Sequence, residues 1–296
     1  MRKRVELVVN PYSTGVTGDR VSAVEGALCE HVDVSTSFTE HRGHATDLVQ
    51  ATDADAIVVF SGDGTYNEAL NGTTSLPFGF LPGGGTSVFA RAIGLPRDPV
   101  EAARAVGLAL VEGRSRRISL GRVNGRRFCF SAGIGFDAEA VRRLDKLGRK
   151  PSGERPGDVQ FAWTFARMLL ERRGAWPPQI DSDLLGRVAF VMVANGNPYS
   201  YAGSFPLRLM PDAEFELGFD VLAPSRVRRR DIPSFISYVA RGKGKVLDRG
   251  VQILHDLDRL EVRCDRPLPL QVDGEDLGDV DAAVFEAERD AVSVLV

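Results

Sequence analysis

Residues 58–72, VVFSGDGTYNEALNG, place an apolar run directly before a glycine turn and a polar stretch that is compatible with a helix. Residues 56–60 have the length and composition of a strand that is buried on both faces of a parallel sheet. Residues 61–65 interrupt this strand, and residues 65–70 are typical of a helix start, with Asn71-Gly72 as the stop. A strand, turn and helix N-terminus in this order leave backbone N–H groups free to bind a phosphate.

Composition places the chain among soluble globular proteins of one large or two ordinary domains, since its 296 residues are 43% hydrophobic and 26% charged. A net charge of −3 gives no overall attraction to nucleic acid. Three widely spaced cysteines form neither a disulfide framework nor a CxxC metal pattern, which favours a reducing, cytoplasmic setting. The longest apolar runs are too short for a signal sequence or a membrane span, so we expect any membrane contact to come from one side.

Strand-like and helix-like segments alternate over the first 115 residues, which predicts a parallel α/β sheet. From Arg116 onward, short runs with period-two patterning predict an antiparallel β domain instead. The predicted strands of the first part are 4–9, 32–38, 56–60 and 78–81, and its predicted helices are 45–51, 65–70, 86–93 and one that opens at Asp98-Pro99. Two further helices are predicted in the second part, at 159–172 and 226–242.

Three glycine-containing loops each follow a candidate parallel strand: residues 10–15, 62–65 and 83–86. The carboxyl ends of such strands lie at one edge of the sheet, where ligands bind. We therefore expect the loops to converge there and to offer backbone N–H groups to the phosphates of a nucleotide. None of them matches the GxxxxGK[ST] phosphate loop or the GxGxxG dinucleotide fingerprint.

The segment SGDGTYNEALNG resembles the GGDGTxxEVxNG signature of the diacylglycerol kinase catalytic domain, a family that includes bacterial lipid kinases and is related to sphingosine and ceramide kinases. Four further segments match that family's motifs in the same order. They are VVNPYSTG, FGFLPGGGTSVFARAIGLP, FSAGIGFDAEAV and VDGE. The resemblance thus covers nearly the whole chain.

The resemblance implies two domains. Residues 1–115 would form an α/β, NAD-kinase-like domain that binds ATP, and residues 116–282 a β-rich domain of the antiparallel sandwich type that receives lipid. Residues 283–296 would return to the first domain.

Site residues follow from the resemblance position by position. It implies that Asp63 and Asp137 hold Mg²⁺, since hard cations prefer oxygen ligands. Asp273 and Glu275 are both candidates for the general base that accepts the proton of a lipid hydroxyl, and the sequence does not distinguish them. By itself, VDGE is typical of a hairpin turn. The residues implied at the nucleotide are Asn10, Ser13, Gly15, Thr39, Gly62, Gly64, Thr65, Gly84 and Thr86, with Glu68 on the first helical turn either fixing the loop or contacting the nucleotide.

Three departures from the family pattern stand out. Ser61 replaces a common glycine, as in the sphingosine kinase branch, and Ser87-Val88 replaces an Asn-Asp pair beside the phosphate loop. The segment MPDAEFELGFD offers Glu216, Leu217 and Asp220 where the family often has a pair of acids for a structural metal. This change argues against a second metal.

A lipid site is less clearly encoded. Four apolar residues recur at helical spacing, and such stripes usually belong to a core. The alternative is that this helix and the loop with Trp176 form an acyl-chain entrance facing anionic lipid. The apolar stripe consists of Phe161, Phe165, Met168 and Leu169.

The four histidines of the chain have no metal-binding spacing.

The sequence therefore predicts a lipid kinase, dependent on ATP and Mg²⁺, that phosphorylates a lipid hydroxyl at a membrane surface, most simply that of diacylglycerol. A sphingoid base, a ceramide or a glycolipid offers a similar hydroxyl. We expect a cytoplasmic protein that associates peripherally with the inner face of the membrane, binds no nucleic acid, and can form a homodimer as family members often do. Two alternatives are an NAD-kinase-like enzyme with a soluble substrate and a non-catalytic protein that binds lipid or nucleotide.

Overall fold

The structure is a computed structural model that describes residues 2–72, 74–146, 167–168, 176–202, 205–228, 230, 234, 238 and 250–296. The two helices predicted at 159–172 and 226–242 therefore lie largely outside the described residues. Contacts divide the chain into two compact units. The first comprises the residues up to Ser119 together with Asp290–Val296, and the second comprises Leu120–Arg289.

A parallel sheet forms the centre of the first unit, as the sequence predicts. Its four strands are β1 (Arg4–Val9), β2 (Asp33–Phe38), β3 (Ala56–Ser61) and β4 (Phe78–Pro82). They pair in the order β4-β3-β1-β2. Every residue of β3 is buried, because this strand lies inside the sheet and its apolar side chains pack on both faces.

Five helices accompany this sheet, and the first was not predicted. A signal for it is present in the sequence, since Thr17 caps the helix by accepting from Arg20 N–H, and the buried Val21, Val24 and Leu28 recur at helical spacing. The helices are α1 (Gly18–Cys29), α2 (His44–Ala51), α3 (Asp63–Asn71), α4 (Val88–Ala92) and α5 (Pro99–Glu112).

Antiparallel pairing dominates the second unit, which confirms that part of the prediction. The sandwich-type arrangement stays a prediction. The strands are β5 (Arg116–Val123), β6 (Arg126–Phe128), β7 (Ser131–Ile134), β8 (Ile180–Ser182), β9 (Gly186–Val188), β10 (Val191–Ala194), β11 (Ser200–Ala202), β12 (Phe205–Leu207), β13 (Phe219–Pro224), β14 (Val251–Leu257), β15 (Arg259–Val272) and β16 (Glu275–Val294), and helix α6 (Phe136–Lys146) follows β7. Six of these strands pair in the order β14-β13-β10-β7-β15-β16, each antiparallel to its neighbours.

Two hydrophobic cores lie on opposite faces of this antiparallel sheet. Along β10, Val191 and Val193 belong to one core, whereas Met192 and Ala194 belong to the other, because side chains alternate along a strand. Phe136 of α6 packs in the second core. Helix α6 therefore covers one face of the sheet.

The end of β16 belongs to the first unit, where Val294 pairs in parallel with Phe78 of β4. Among the described residues, no helix is long and apolar enough to cross a membrane.

Candidate active site

The loops that follow β1, β3 and β4 contact one another at the carboxyl edge of the parallel sheet. We call residues 10–15, 62–65 and 83–86 the loop cluster. The carbonyl of Gly83 accepts from Ser13 Oγ at 2.7 Å and from Gly15 N–H at 2.8 Å. A Cβ on Gly84 would stand 2.8 Å from Gly62 Cα, so the two backbones touch only because both residues are glycine. The convergence expected from the sequence is present.

A hydrogen-bond network centred on Thr65 joins the first two loops. Thr65 Oγ1 accepts from Asn10 Nδ2 at 2.9 Å and from Ser61 Oγ at 2.8 Å. Asn10 Oδ1 in turn accepts from Tyr12 N–H at 2.9 Å. Ser61, which departs from the family's glycine, therefore has a structural partner in the buried Thr65 hydroxyl.

The carboxylate of Asp63 caps helix α4. Its Oδ2 accepts from Val88 N–H and its Oδ1 from Phe89 N–H, each at 2.9 Å. These contacts use backbone groups, so the cap forms although Ser87-Val88 replaces the family's Asn-Asp pair. A carboxylate oxygen can accept from more than one partner, so a capping role and a ligand role are chemically compatible.

Helix α3 begins at Asp63, two residues earlier than predicted. Gly64 and Thr65 thus lie in its first turn, and Glu68 lies in the second turn rather than the first. The backbone carbonyl of Glu68 accepts from Thr46 Oγ1 at 2.7 Å.

Thr39 and Thr86 lie at the same carboxyl edge of the sheet. Thr39 is buried directly after β2, and its N–H donates to Val9 O at 2.8 Å. The carbonyl of Thr86, in the loop after β4, accepts from a guanidinium nitrogen of Arg91 at 3.3 Å. The described hydrogen bonds of both threonines involve their backbone groups.

In the second unit, Asp137 lies at the N-terminus of α6 and is only 4% exposed. Its Oδ2 accepts from Tyr199 Oη at 2.6 Å and from Gln271 Nε2 at 2.9 Å. Its Oδ1 is buried and has no hydrogen-bond partner among the described residues. Burial raises the pKa of Asp137, and the hydrogen bonds from Tyr199 and Gln271 act in the opposite direction. A Cβ at Gly133 would overlap this carboxylate, so the glycine makes room for it.

The VDGE segment forms a two-residue hairpin turn between β15 and β16. Val272 pairs with Glu275, and the two residues between them, Asp273 and Gly274, both have positive φ (48° and 78°). Positive φ at both central residues is the requirement of a type I′ turn. The hairpin expected from the sequence is therefore present.

Asp273 is buried within this turn and anchors it to the segment before β7. Its Oδ2 accepts from Cys129 N–H at 2.7 Å, and its Oδ1 accepts from Phe130 N–H at 3.0 Å and Ser131 N–H at 3.1 Å. Both carboxylate oxygens are thus engaged with the backbone.

Glu275 has a different environment. Gln271 and Asp276, which are directly opposed in the hairpin, both contact residues of α6. Because side chains alternate along a strand, Glu275 projects to the opposite face, where Arg126 Nη2 lies 3.4 Å from its Oε2. The structure therefore brings Asp273 and Glu275 into one turn but gives their carboxylates different partners, backbone N–H groups for Asp273 and Arg126 for Glu275.

Sequence reasoning missed the partners of these carboxylates. Nothing in the local sequence identifies Tyr199, which lies 62 positions from Asp137. For Gln271 the sequence gives only a weak indication of such a role: the residue lies two positions before Asp273 and therefore beside the predicted turn. The local sequence also does not identify Arg142 of α6 as a partner of Asp276, which it contacts.

The segment considered for a structural metal is occupied by a hydrogen-bonded pair. Buried Asp220 Oδ1 accepts from Asp256 N–H at 3.0 Å and lies 2.7 Å from His255 Nδ1. The hydrogen bond with Asp220 raises the pKa of His255. Within the part of the chain that the structure describes, no group of three or more His, Cys, Asp or Glu side chains is placed to hold a metal.

Trp176 and Met168, two of the residues weighed for an acyl-chain entrance, are buried. Trp176 packs edge-on against Phe136, with ring centroids 4.8 Å apart. Both residues belong to the core beneath α6, which favours the interpretation of these two residues as core over the alternative of an acyl-chain entrance. Phe161, Phe165 and Leu169 lie outside the described residues.

Glycine loops that converge at the carboxyl edge of a parallel α/β unit are typical of proteins that bind phosphate groups there. Residues 4–123 match the diacylglycerol kinase catalytic domain. This finding confirms the family resemblance.

Two curated relatives extend the match over the chain. A diacylglycerol kinase from Bacillus subtilis (strain 168) is 29% identical over 286 residues, which cover 92% of this chain and 90% of that protein. Another from Staphylococcus carnosus (strain TM300) is 26% identical over 297 residues, which cover 95% and 92%. These relatives support a lipid kinase, a phosphotransferase, as the sequence predicts.

Solved structures share the fold. One described as a diacylglycerol kinase from Bacillus anthracis str. Sterne aligns with a TM-score of 0.71 at 20% identity, covering 99% of this chain and 97% of that one. A second from the same organism aligns with a TM-score of 0.77 at 21% identity, covering 99% and 95%.

Proposed function

We propose that the protein is an ATP- and Mg²⁺-dependent lipid kinase that transfers the γ-phosphate of ATP to the hydroxyl of diacylglycerol, giving phosphatidic acid. The observation that carries this proposal is the loop cluster, in a chain that matches diacylglycerol kinases over most of its length. Diacylglycerol is named because both curated relatives are diacylglycerol kinases.

Nucleotide binding is assigned to the loop cluster. Gly62 packs closely against Gly84, and Gly15 against Gly83, so the loops meet backbone to backbone at the edge where we place the phosphates. Backbone N–H groups at helix and loop N-termini bind phosphate oxygens. Asn10 and Thr65 hold the first two loops in register, and Ser13 holds the first to the third. Thr39, Gly64, Glu68 and Thr86 complete the proposed nucleotide site at the same edge.

The acidic residues fit Mg²⁺ chemically. Asp137 offers a buried carboxylate oxygen that has no hydrogen-bond partner among the described residues. Asp63 supplies a carboxylate beside the glycine turn, and carboxylate oxygens are the ligands that Mg²⁺ prefers. We propose each residue, taken within its own unit, as a ligand of Mg²⁺, either directly or through water. Bound Mg²⁺ would neutralise charge on the transferring phosphates.

Of the two candidates for the general base, we assign Glu275 as the residue that accepts the proton of the lipid hydroxyl. Asp273 accepts three backbone N–H bonds, so protonating it would disrupt the anchor of the turn. In the proposed step the lipid hydroxyl oxygen forms a bond to the γ-phosphorus while the bond to the β–γ bridging oxygen breaks. ADP departs with that electron pair, and the hydroxyl proton passes to the Glu275 carboxylate.

The test is phosphoryl transfer from radiolabelled ATP, with Mg²⁺, to mixed micelles that contain diacylglycerol, sphingosine or ceramide. We expect labelled phosphatidic acid with the wild-type protein and a loss of about 100-fold or more with Glu275→Gln, since general bases contribute about 10²–10⁴-fold. Glu261→Gln is the matched control, because Glu261 lies on the exposed face of β15, paired with Arg259. It should leave the rate unchanged.

Three outcomes would reject the proposal or part of it. Label in sphingosine phosphate or ceramide phosphate alone would move the substrate to another lipid. Label in NADP from a parallel reaction with NAD, and none in lipid, would favour the soluble-substrate alternative. ATP binding without transfer to any acceptor would favour a non-catalytic binding protein.

A further inference from the structure

The side chain of Arg142 joins helix α6 to the β15–β16 hairpin. Its Nε and Nη2 donate to the two carboxylate oxygens of Asp276, at 2.8 and 3.0 Å. Its Nη1 lies 2.6 Å from Asp279 Oδ1. The Arg142 side chain is only 18% exposed, so solvent screens these pairs less than it screens surface pairs. A bidentate pair of this kind constrains direction as well as distance.

The same helix also holds the other strand of the hairpin. Asp137, near the start of α6, accepts from Gln271 Nε2 at 2.9 Å. Gln271 and Asp276 are directly opposed across the hairpin. Helix α6 therefore contacts β15 and β16 at the same level, one residue pair away from the pair that closes the turn.

The turn itself is tied to this contact. Gln271 Oε1 accepts from Gly274 N–H at 3.0 Å, so the residue that touches α6 also fixes the centre of the turn. On the β16 side, Asp276 directly follows Glu275. A displacement of Asp276 must therefore move the backbone from which the Glu275 side chain projects.

We propose that Arg142 is a positioning residue for the phosphoryl-transfer reaction: through its bidentate pair with Asp276, it fixes the direction in which the Glu275 carboxylate extends. This inference rests on the proposed function, in which Glu275 accepts the proton of the lipid hydroxyl. Arg142 itself acts on the opposite face of the hairpin from Glu275 and does not contact the substrate.

The chemistry of the pair makes the inference specific to arginine. A lysine at position 142 would keep the charge but would lose the planar fork that binds both oxygens of Asp276. A misplacement of a catalytic group by about 1 Å can reduce the rate by about 100-fold. The effect should fall on kcat, because the nucleotide loops belong to the first unit, whereas Arg142 and its partner Asp276 both belong to the second.

The experiment compares Arg142→Gln and Arg142→Lys with Arg143→Gln. Arg143 is the adjacent residue on α6, and it pairs with Glu139 of the same helix at 2.8 Å. We expect kcat for lipid phosphorylation to fall about 10- to 100-fold in both Arg142 variants, with the KM for ATP within about twofold of wild type. Arg143→Gln should retain kcat within about twofold. Equal kcat in the Arg142 and Arg143 variants would overturn the inference.

A second measurement is independent of activity. Hydrogen exchange of the backbone amides of residues 273–276 should become at least about tenfold faster in Arg142→Gln and remain unchanged in Arg143→Gln. If the wild type phosphorylates no lipid, the proposed function fails, and the exchange rates still decide whether Arg142 fixes the turn. Unchanged exchange in Arg142→Gln would reject the positioning role.

If Arg142→Gln does not fold, Asp276→Asn tests the same pair from the other side. The substituted side chain would retain an oxygen for Gly278 N–H, which donates to Asp276 Oδ1 at 3.0 Å, but would lose the bidentate pair. We expect Asp276→Asn and Arg142→Lys to reduce kcat by similar factors, and the double variant to lose little more. Multiplicative losses would show that the two residues act separately and would contradict the inference.

Discussion

Asp273 and Ser131 hydrogen-bond each other in both directions: Asp273 N–H donates to Ser131 O at 2.8 Å, and Asp273 Oδ1 accepts from Ser131 N–H at 3.1 Å. The two residues are separated by 142 positions. This contact attaches the VDGE turn to the start of β7. The carboxylate of Asp273, one of the two candidates for the general base, therefore holds the backbone in place.

We expect Asp273→Asn to destabilise the protein. The amide group of asparagine would place a donor against at least one of the three backbone N–H groups, which leaves buried donors unsatisfied. The free energy of unfolding should fall by about 1–3 kcal/mol. Chemical denaturation followed by circular dichroism measures it. An unchanged denaturation midpoint would contradict the anchoring role.

Glu275→Gln should have little effect on stability but should greatly reduce activity. Glu275 is partly buried beside Arg126 at 3.4 Å, and glutamine retains an oxygen for that contact. We expect less than about 1 kcal/mol of destabilisation, the range of single ion pairs near the protein surface, but the loss of activity described above. The denaturation curve and the kcat of the same preparation provide the measurement. Full activity in Glu275→Gln would return the base assignment to Asp273.

Gly84→Ala should open the loop cluster. The added Cβ would stand 2.8 Å from Gly62 Cα, and a backbone atom can move away only by separating the two loops. We expect about 1–3 kcal/mol of destabilisation, typical of overpacking, together with weaker ATP binding. Isothermal calorimetry with ATP and Mg²⁺ measures the second effect.

Gly26→Ala is the control for that variant, because Gly26 lies on α1, outside the loop cluster. A Cβ at Gly26 meets nothing within 4 Å, and its φ does not lie in the left-handed region. It should bind ATP like the wild type. Equal affinity in the two variants would show that contact between the loops does not shape the nucleotide site.

The His255–Asp220 pair predicts a pH dependence of stability. The hydrogen bond with Asp220 raises the pKa of His255 above its ordinary value of 6.5. The stabilisation is therefore fully present below pH 6.5 and is lost as the pH rises through the higher pKa of the folded protein. Asp212 and Asp256 also favour the charged imidazole.

His255→Gln should remove this dependence. The imidazole is 44% exposed, so screening limits the contribution to about 0.5 kcal/mol. Thermal melts between about pH 6 and pH 8.5 should show a wild-type decline that is smaller in His255→Gln. Parallel pH curves for the two proteins would exclude a stabilising role for the charged pair.

Features determined by local chemistry could be predicted from the sequence. The buried strand at 56–61 follows from an unbroken apolar run, and the start of α5 follows from Asp98, whose Oδ1 accepts from Val100 N–H and Glu101 N–H. The VDGE hairpin depends on a glycine that tolerates positive φ. Each signal lies within a few residues of the structure that it specifies.

Helix boundaries and short amphipathic helices could be predicted less well from the sequence. Helix α6 is not among the predicted helices, because its buried apolar residues are confined to its first half, Phe136 to Val141. Helix α3 begins at Asp63 because Gly62, in extended conformation, serves as its N-cap, whereas the two glycines of the turn predict a loop up to Thr65.

By itself, the sequence determined the alternation of strands and helices, the antiparallel second part, and the glycine loops at the ends of three parallel strands. Only the tertiary structure decided how the carboxylates are used. Asp63 caps a helix that begins 25 residues later in the chain, and Arg142 binds Asp276, which lies 134 residues later. The physical reason is that a carboxylate has the same local sequence signature whether it binds an ion, accepts a proton or caps a backbone. Its role depends on which donors the fold brings to its oxygens, and those donors come from distant parts of the chain.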